Sequence, residues 1–416
     1  MALIVYGLLF CAYQILNNYP PQYRLTSDDA TYPYLAQRFL NGTFREYNNF
    51  ILSERILQIL PMALFIKVFG VSIYSTSGWN ILSYLGMVFV MFYLGRALFN
   101  DMAGIFASLL TAFYPLIASM AYLMQPDMPM VFFSALFALS LVYCKNKKSK
   151  GWGLLCGMLL ISLPLITPIG AVIVILGVIY LIASFAYEYH KYAGVRQEEK
   201  YIVYGMIFAG MCALIFNYMF SGNPVITVTA SSDFYGNVGC GSNQNGIVNT
   251  TLYNKFGIPV SCGNQSPSEY AGGSANVYID EMFSYVYSPF NDLLLQLLYS
   301  KDRTTTYYYV AIPALLYIFK KKEKNAYFMA FWLIAGLLYL SFGPAKISFY
   351  PPAYLFLEES WKYIVIVAVP TILIISVALA KFLGAGGKKQ RAFRLFLTVL
   401  IILFLLITSM DADLFI

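Results

Sequence analysis

Gln125-Pro-Asp-Met-Pro-Met-Val-Phe-Phe-Ser-Ala-Leu-Phe-Ala-Leu-Ser-Leu-Val-Tyr-Cys-Lys-Asn-Lys-Lys-Ser-Lys150 is the stretch on which the fold class turns. A polar step with two prolines, Gln125–Pro129, opens it, and the uncharged apolar run Met130–Cys144 follows. Lys145, Lys147, Lys148 and Lys150 close it. An apolar run ending in a basic cluster reads as a helix crossing a bilayer with that end in the cytoplasm. Asp127 then sits at the opposite, extracytoplasmic mouth.

The whole chain repeats this pattern. Its 416 residues are 59% hydrophobic and 11% charged, with a mean hydropathy of +0.65. A soluble domain carries about 25% charged residues, so this chain has too few to cover a water-facing surface. It reads as an all-α integral membrane protein. The net charge of +7 is no nucleic-acid footprint. The basic residues gather between apolar runs, at Lys145–Lys150, Lys320–Lys324 and Lys388–Arg394, where membrane topology accounts for them.

Outward from the quoted span, residues 1–16 form a first apolar run, broken at Asn18-Tyr-Pro-Pro. Tyr74–Phe99 is the second span and Met102–Leu123 the third, with Arg96 and Asn100-Asp101 at the turn between them. Residues 151–186 give two spans broken by Pro164, Pro168 and Gly170, and Tyr201–Phe220 follows the charged segment Tyr187–Lys200. Tyr307–Phe319, Ala326–Phe342, Tyr363–Leu383 and Leu395–Met410 complete about eleven spans. The basic and charged linkers then share one side, which parity makes cytoplasmic.

Three units follow. Residues 1–220 are a transmembrane module whose first outer loop spans 17–53. Residues 221–305 are a large extracytoplasmic loop rich in Gly, Asn, Ser and Tyr, and residues 306–416 hold the C-terminal helices. Two interfacial helices belong to the first outer loop and its exit. One is Leu25–Gly42, with Tyr34, Leu35, Phe39 and Leu40 at helical spacing and Asn41-Gly42 as its stop; the other is Leu57–Phe69.

Residue types limit the chemistry. His190 is the single histidine and lies in a charged cytoplasmic stretch, which excludes Ser-His-Asp and Cys-His catalysis outside. Carboxylates, amines and hydroxyls remain. Asp28 and Asp29 read two ways: as a base and a cation ligand pointing apart on an extended loop, or as the cap of the helix behind them. Asp127 is a third carboxylate on this face, or merely opens the fourth span. Cations for a phosphate on this face include Arg24, Arg38, Arg45, Arg55, Arg303, Lys346 and Lys362. Lys346 and Lys362 flank one loop and make the better pair, against the alternative that each only snorkels at the interface. Cys240 and Cys262 share the 221–305 loop, and outside the cytoplasm a disulfide between them would close it. Asn41, Asn249 and Asn264 open glycosylation sequons.

In this order the features resemble the GT-C superfamily of polytopic glycosyltransferases, which includes the protein O-mannosyltransferases and the lipid A aminoarabinose transferases. Asp28-Asp29-Ala-Thr-Tyr32 through Asn41-Gly42 is similar to the family's acidic pair and following helix. Phe65–Ser72, Tyr93–Phe99 and Ala112–Pro115 resemble the segments leading into and between its next spans. Gln125-Pro-Asp127-Met-Pro129 resembles its Pro-Asp step. Ser360-Trp-Lys-Tyr363 is similar to its Arg-Tyr step, with Lys362 where Arg is usual. The likeness covers residues 20–145 well, 343–372 weakly and 221–305 not at all.

The resemblance implies transfer of a sugar from a polyprenyl-phosphate donor to a protein, lipid or glycan acceptor outside the cytoplasm, with inversion. Asp28 would be the base. Lys346, Lys362 and Arg303 would bind the donor phosphate, alone or with a divalent cation (Mg or Mn) on Asp29 and Asp127. The setting would be a prokaryotic plasma membrane with the site facing out. A transporter or lipid flippase competes with this reading, as does a GT-C relative without catalysis. Against a transporter, Asp and Glu avoid the span centres and no inverted repeat is visible.

Overall fold

A computed structural model describes residues 27–44, 55–121, 123–192, 196–221, 252–253, 259–260, 305–320, 327–342, 344–349, 352–356, 366–384 and 392–402. The chain enters it as helix α1 (Ser27–Leu40), α2 (Ile56–Phe69), α3 (Ile73–Leu98), α4 (Asp101–Ala112), α5 (Pro115–Met120) and α6 (Asp127–Lys147). Helices α7 (Lys150–Ser162), α8 (Gly170–Tyr192) and α9 (Gln197–Ser221) follow. The strands β1 (Leu252–Tyr253) and β2 (Pro259–Val260) pair antiparallel. Helices α10 (Thr305–Lys320) and α11 (Tyr327–Phe342) lead to the hairpin β3 (Pro344–Phe349)–β4 (Pro352–Phe356), then to α12 (Ala368–Gly384) and α13 (Ala392–Ile402).

Four helices among the described residues are long and apolar enough to cross a membrane: Tyr74–Leu98, Asp127–Lys147, Gly170–Tyr187 and Gln197–Met219. The protein is an integral membrane protein, predominantly helical. The other apolar helices are shorter, and the expected span over 1–16 lies outside the described residues. Helix α6 runs on at both ends of the expected Met130–Cys144, with Asp127 in its first turn and Lys145 and Lys147 in its last, each suited to the helix dipole there.

Two segments differ from the sequence reading. Met102–Leu123 is not one helix: it breaks at Phe113-Tyr114 into α4 and α5. Pro115 supplies no amide hydrogen and disfavours helical geometry at Tyr114, so the amides of Phe113 and Tyr114 close α4 on Leu109 and Thr111. Tyr84 Oη then donates to the Ala112 carbonyl at 2.7 Å, serving one of the carbonyls that a helix end leaves open. The outer loop Gly343–Lys362 contains the β3–β4 hairpin, in which Lys346 pairs with Leu355 beside a bulge.

The core is arranged around α12. Every residue from Ala368 to Ala380 is buried, and the helix packs against α10, α4 and α11. A helix apolar on all sides belongs in a core. By contrast, α8 and α9 expose Ile175, Ile179, Ile182, Ile207, Phe208 and Met211, a face fit for lipid. Helix α9 is fastened to α7 by glycines: a Cβ on Gly157 would run into the Ile202 carbonyl, and one on Gly205 into that of Leu154. Close backbone approach over small residues is how membrane helices gain packing without a hydrophobic drive between them. At the basic end, Lys145 Nζ donates to Tyr180 Oη (3.0 Å) and Ser184 Oγ (2.9 Å), tying α6 to α8.

Candidate functional site at the acidic mouth of the bundle

The helix expected over Leu25–Gly42 is present as α1 and ends as its sequence signals. Gly42 takes φ 74°, Thr43 N–H reaches the Arg38 carbonyl and Gly42 N–H that of Phe39, the Schellman closure. Its inner face is not the expected one. Tyr32, Leu35 and Ala36 are buried and Phe39 packs beside them, whereas Tyr34 and Leu40 face outward. Asp28 and Asp29 lie in the first turn of α1 rather than on an extended loop, four and three residues before Tyr32.

Arg55 completes this corner. It occupies the N-cap position of α2, its Nη1 donates to Tyr32 Oη, and its guanidinium lies 5.6 Å from the centre of the Tyr32 ring. Among the described residues its Nε is buried without a hydrogen-bond partner. A guanidinium has five N–H donors in a fixed fork, so one anchored through a tyrosine still has donors for an anion. Arg38, the other described cation here, is engaged with Tyr34 (3.0 Å) and more loosely with Thr43 (3.4 Å).

Asp127 is 6% exposed. The chain leading to it is held by two amides. Asn80 Nδ2 donates to the carbonyls of Leu123 (2.5 Å) and Gln125 (2.6 Å). Gln58 Nε2 donates to the Met124 carbonyl (3.3 Å) and to Asn80 Oδ1 (3.2 Å). Met124 also joins the cluster of Tyr32, Leu35, Ile59, Met62 and Ala63, so the Pro-Asp step abuts the α1–α2 pair. The structure thus brings the acid-bearing helix, Arg55 and the Asp127 step to one end of the bundle.

The other expected site residues are not placed with them. Lys346 is on β3 but its side chain lies outside the described residues, as do those of Asp28 and Asp29. Lys362, Arg303, Cys240 and Cys262 also lie outside them. Among the described residues no three His, Cys, Asp or Glu side chains form a metal site. Asp127 by itself does not fit a divalent ion, which takes several oxygen ligands. Sequence reasoning ranked Arg55 behind the lysines and passed over Gln58 and Asn80. The available signal was an amide inside each of two apolar runs.

Comparison with known proteins places this architecture. The family described as dolichyl-phosphate-mannose-protein mannosyltransferase matches residues 59–219. The oligosaccharyltransferase of Archaeoglobus fulgidus in the apo form aligns with 99% of the chain at a TM-score of 0.59 and 12% identity. Its AglB complex with an inhibitory peptide and a dolichol-phosphate aligns equally well, at 13% identity. ArnT from Cupriavidus metallidurans in the apo state aligns with 89% of the chain at a TM-score of 0.50 and 15% identity. The chain is built on the GT-C fold. No protein of curated function matches it in sequence. This GT-C chain spans 55% of the length of the archaeal enzyme in both structures and 57% of ArnT. In the GT-C chain the family match covers α3, α4 and the Asp127 step and stops short of α1.

Proposed function

We propose that this GT-C protein is a membrane glycosyltransferase that moves a sugar from a polyprenyl-phosphate donor to an acceptor on the extracytoplasmic side. The observation that carries the reading is Arg55, bound to Tyr32 beside the helix of Asp28 and Asp29, with Asp127 held at the same end. A lipid phosphate needs a cation at the membrane surface, and an attacking hydroxyl needs a base within reach.

The reaction follows from these groups. Asp28 takes the proton as the acceptor oxygen or nitrogen attacks the anomeric carbon. The bond from that carbon to the phosphate oxygen breaks, its electron pair leaves with polyprenyl phosphate, and the configuration inverts. Arg55 receives the growing charge on the phosphate, joined by Lys346, Lys362 or Arg303. Asp127 lines the acceptor side. A dolichol-phosphate and a peptide bound to the archaeal neighbour support a lipid-phosphate donor and a peptide acceptor in kind. A cation held by Asp29 and Asp127 is a separate question that EDTA decides, and no step above requires it.

The 221–305 loop covers the site and selects the acceptor, closed by a Cys240–Cys262 disulfide. Deleting the loop while acceptor choice stays intact would sink that assignment. The setting is a prokaryotic plasma membrane, with the site facing out.

The test is release of polyprenyl phosphate from a panel of polyprenyl-phosphate sugars by purified wild type and Asp28→Asn, with and without EDTA. Turnover in the wild type that vanishes in Asp28→Asn supports the transferase and its base. Equal turnover in both removes Asp28 from catalysis.

A further inference from the structure

Three consecutive backbone carbonyls, those of Leu123, Met124 and Gln125, each accept a hydrogen bond from a side-chain amide on another helix. Such turned-in carbonyls are unusual next to a helix start, where the chain is commonly steadied by its own side-chain cap. Helix α6 has no such cap: Pro126 occupies that position and makes no side-chain bond. The bonds that hold 123–125 therefore help to set where α6, and Asp127 as its first residue, begins.

The two amides that do so are fully buried: Gln58 on α2 and Asn80 on α3 are both 0% exposed. Asn80 spends both of its N–H bonds on the loop, and its own oxygen accepts from Gln58. Gln58 lies three residues past Arg55, within the first turn of the same helix. One short helix thus presents the candidate phosphate cation at its start and grips the Asp127 loop one turn on. Buried amide donors in apolar surroundings are costly unless bonded. The bonds to the loop carbonyls and to Asn80 Oδ1 favour one arrangement, although Gln58 Oε1 is buried without a partner among the described residues.

We propose that Asn80 and Gln58 are positioning residues: a strut that fixes Asp127 relative to Arg55 and the acid-bearing helix α1. The proposal rests on the transferase reading for its kinetic arm and on geometry alone for its structural arm. Asn80→Leu keeps the branched shape of the side chain and removes both donors and the acceptor for Gln58. In the polyprenyl-phosphate release assay its kcat falls at least about tenfold, since an ångström of misplacement is costly in rate. The donor KM stays within about twofold and the protein remains folded in detergent, with a melting temperature lowered by the lost buried bonds, as expected for a group that acts on the transition state more than on binding.

The structural arm uses spin labels at Leu64→Cys on α2 and Leu123→Cys in a background without the native cysteines. A narrow distance distribution is expected with Asn80 present, and a broadened or shifted one with Asn80→Leu. Full kcat in Asn80→Leu, or a loss carried wholly by KM or by unfolding, overturns the proposal; so does an unchanged distance distribution. Should Asn80→Leu fail to fold, Gln58→Leu carries the same comparison, because it frees Met124 and leaves both Asn80 bonds in place. If the wild type releases no lipid phosphate from any donor, the transferase reading fails, and the spin-label distances still decide the strut.

Discussion

At Arg55 one side chain serves two neighbours. Its bond and ring contact to Tyr32 hold α1 against α2. Its Nε is buried without a partner among the described residues, which leaves a donor for a second neighbour, the proposed donor phosphate. Arg55→Lys keeps the charge and loses the fork, so donor turnover should fall by about 10²-fold, as when one preorganised donor to a developing anion is removed. Tyr32→Phe removes only the anchor and should cost less, mostly in kcat. Steady-state release of lipid phosphate by both variants checks the order; a Tyr32→Phe loss larger than that of Arg55→Lys would make the tyrosine itself a reacting group. The ion pair between Arg96 and Asp101, 2.8 Å apart and largely exposed, serves as the contrast. Exposed pairs contribute little, so Arg96→Ala should leave the melting temperature unchanged within error.

Among the helices, the α7–α9 seam is the most exacting contact. Gly157 and Gly205 face backbone carbonyls of the opposite helix, so an added side chain meets atoms that cannot swing aside. Gly157→Leu should destabilise the protein by about 1–3 kcal/mol through overpacking, read as a lower melting temperature in detergent. Gly210, on the same helix, has open space around it, and Gly210→Leu should be silent by the same measurement. Equal effects at the two positions would mean that the helices do not meet along this seam. Helix α9 was legible as a span in the sequence and α7 as an apolar run, because length and apolarity are local properties. Their seam was not, because it depends on which helix lies opposite.

For the whole molecule, the proposed topology puts the acidic mouth and the basic linkers on opposite sides of the membrane. Cysteines placed at exposed Asn41 and at Lys148, which closes α6 in a left-handed turn, should label differently in intact cells. A membrane-impermeant thiol reagent should reach Asn41→Cys at once and Lys148→Cys only after permeabilisation. Labelling of both before permeabilisation would undo the sidedness on which the site reading depends.

By itself the sequence determined the class of the protein, the stops of α1 and α6, and the break at Pro164 and Pro168. These rest on charge, apolarity and the backbone limits of proline and glycine, which act within a few residues. Only the tertiary structure decided that α12 is enclosed, that Tyr32 rather than Tyr34 is the buried tyrosine of α1, and that Arg55 is bonded to Tyr32 on the acid-bearing helix. The grip of Asn80 and Gln58 on the Asp127 loop was decided there too, across 43 to 66 residues of chain. An amide in an apolar run signals a partner but does not say which carbonyl, because that choice is made only when distant helices pack and leave no water to bond it.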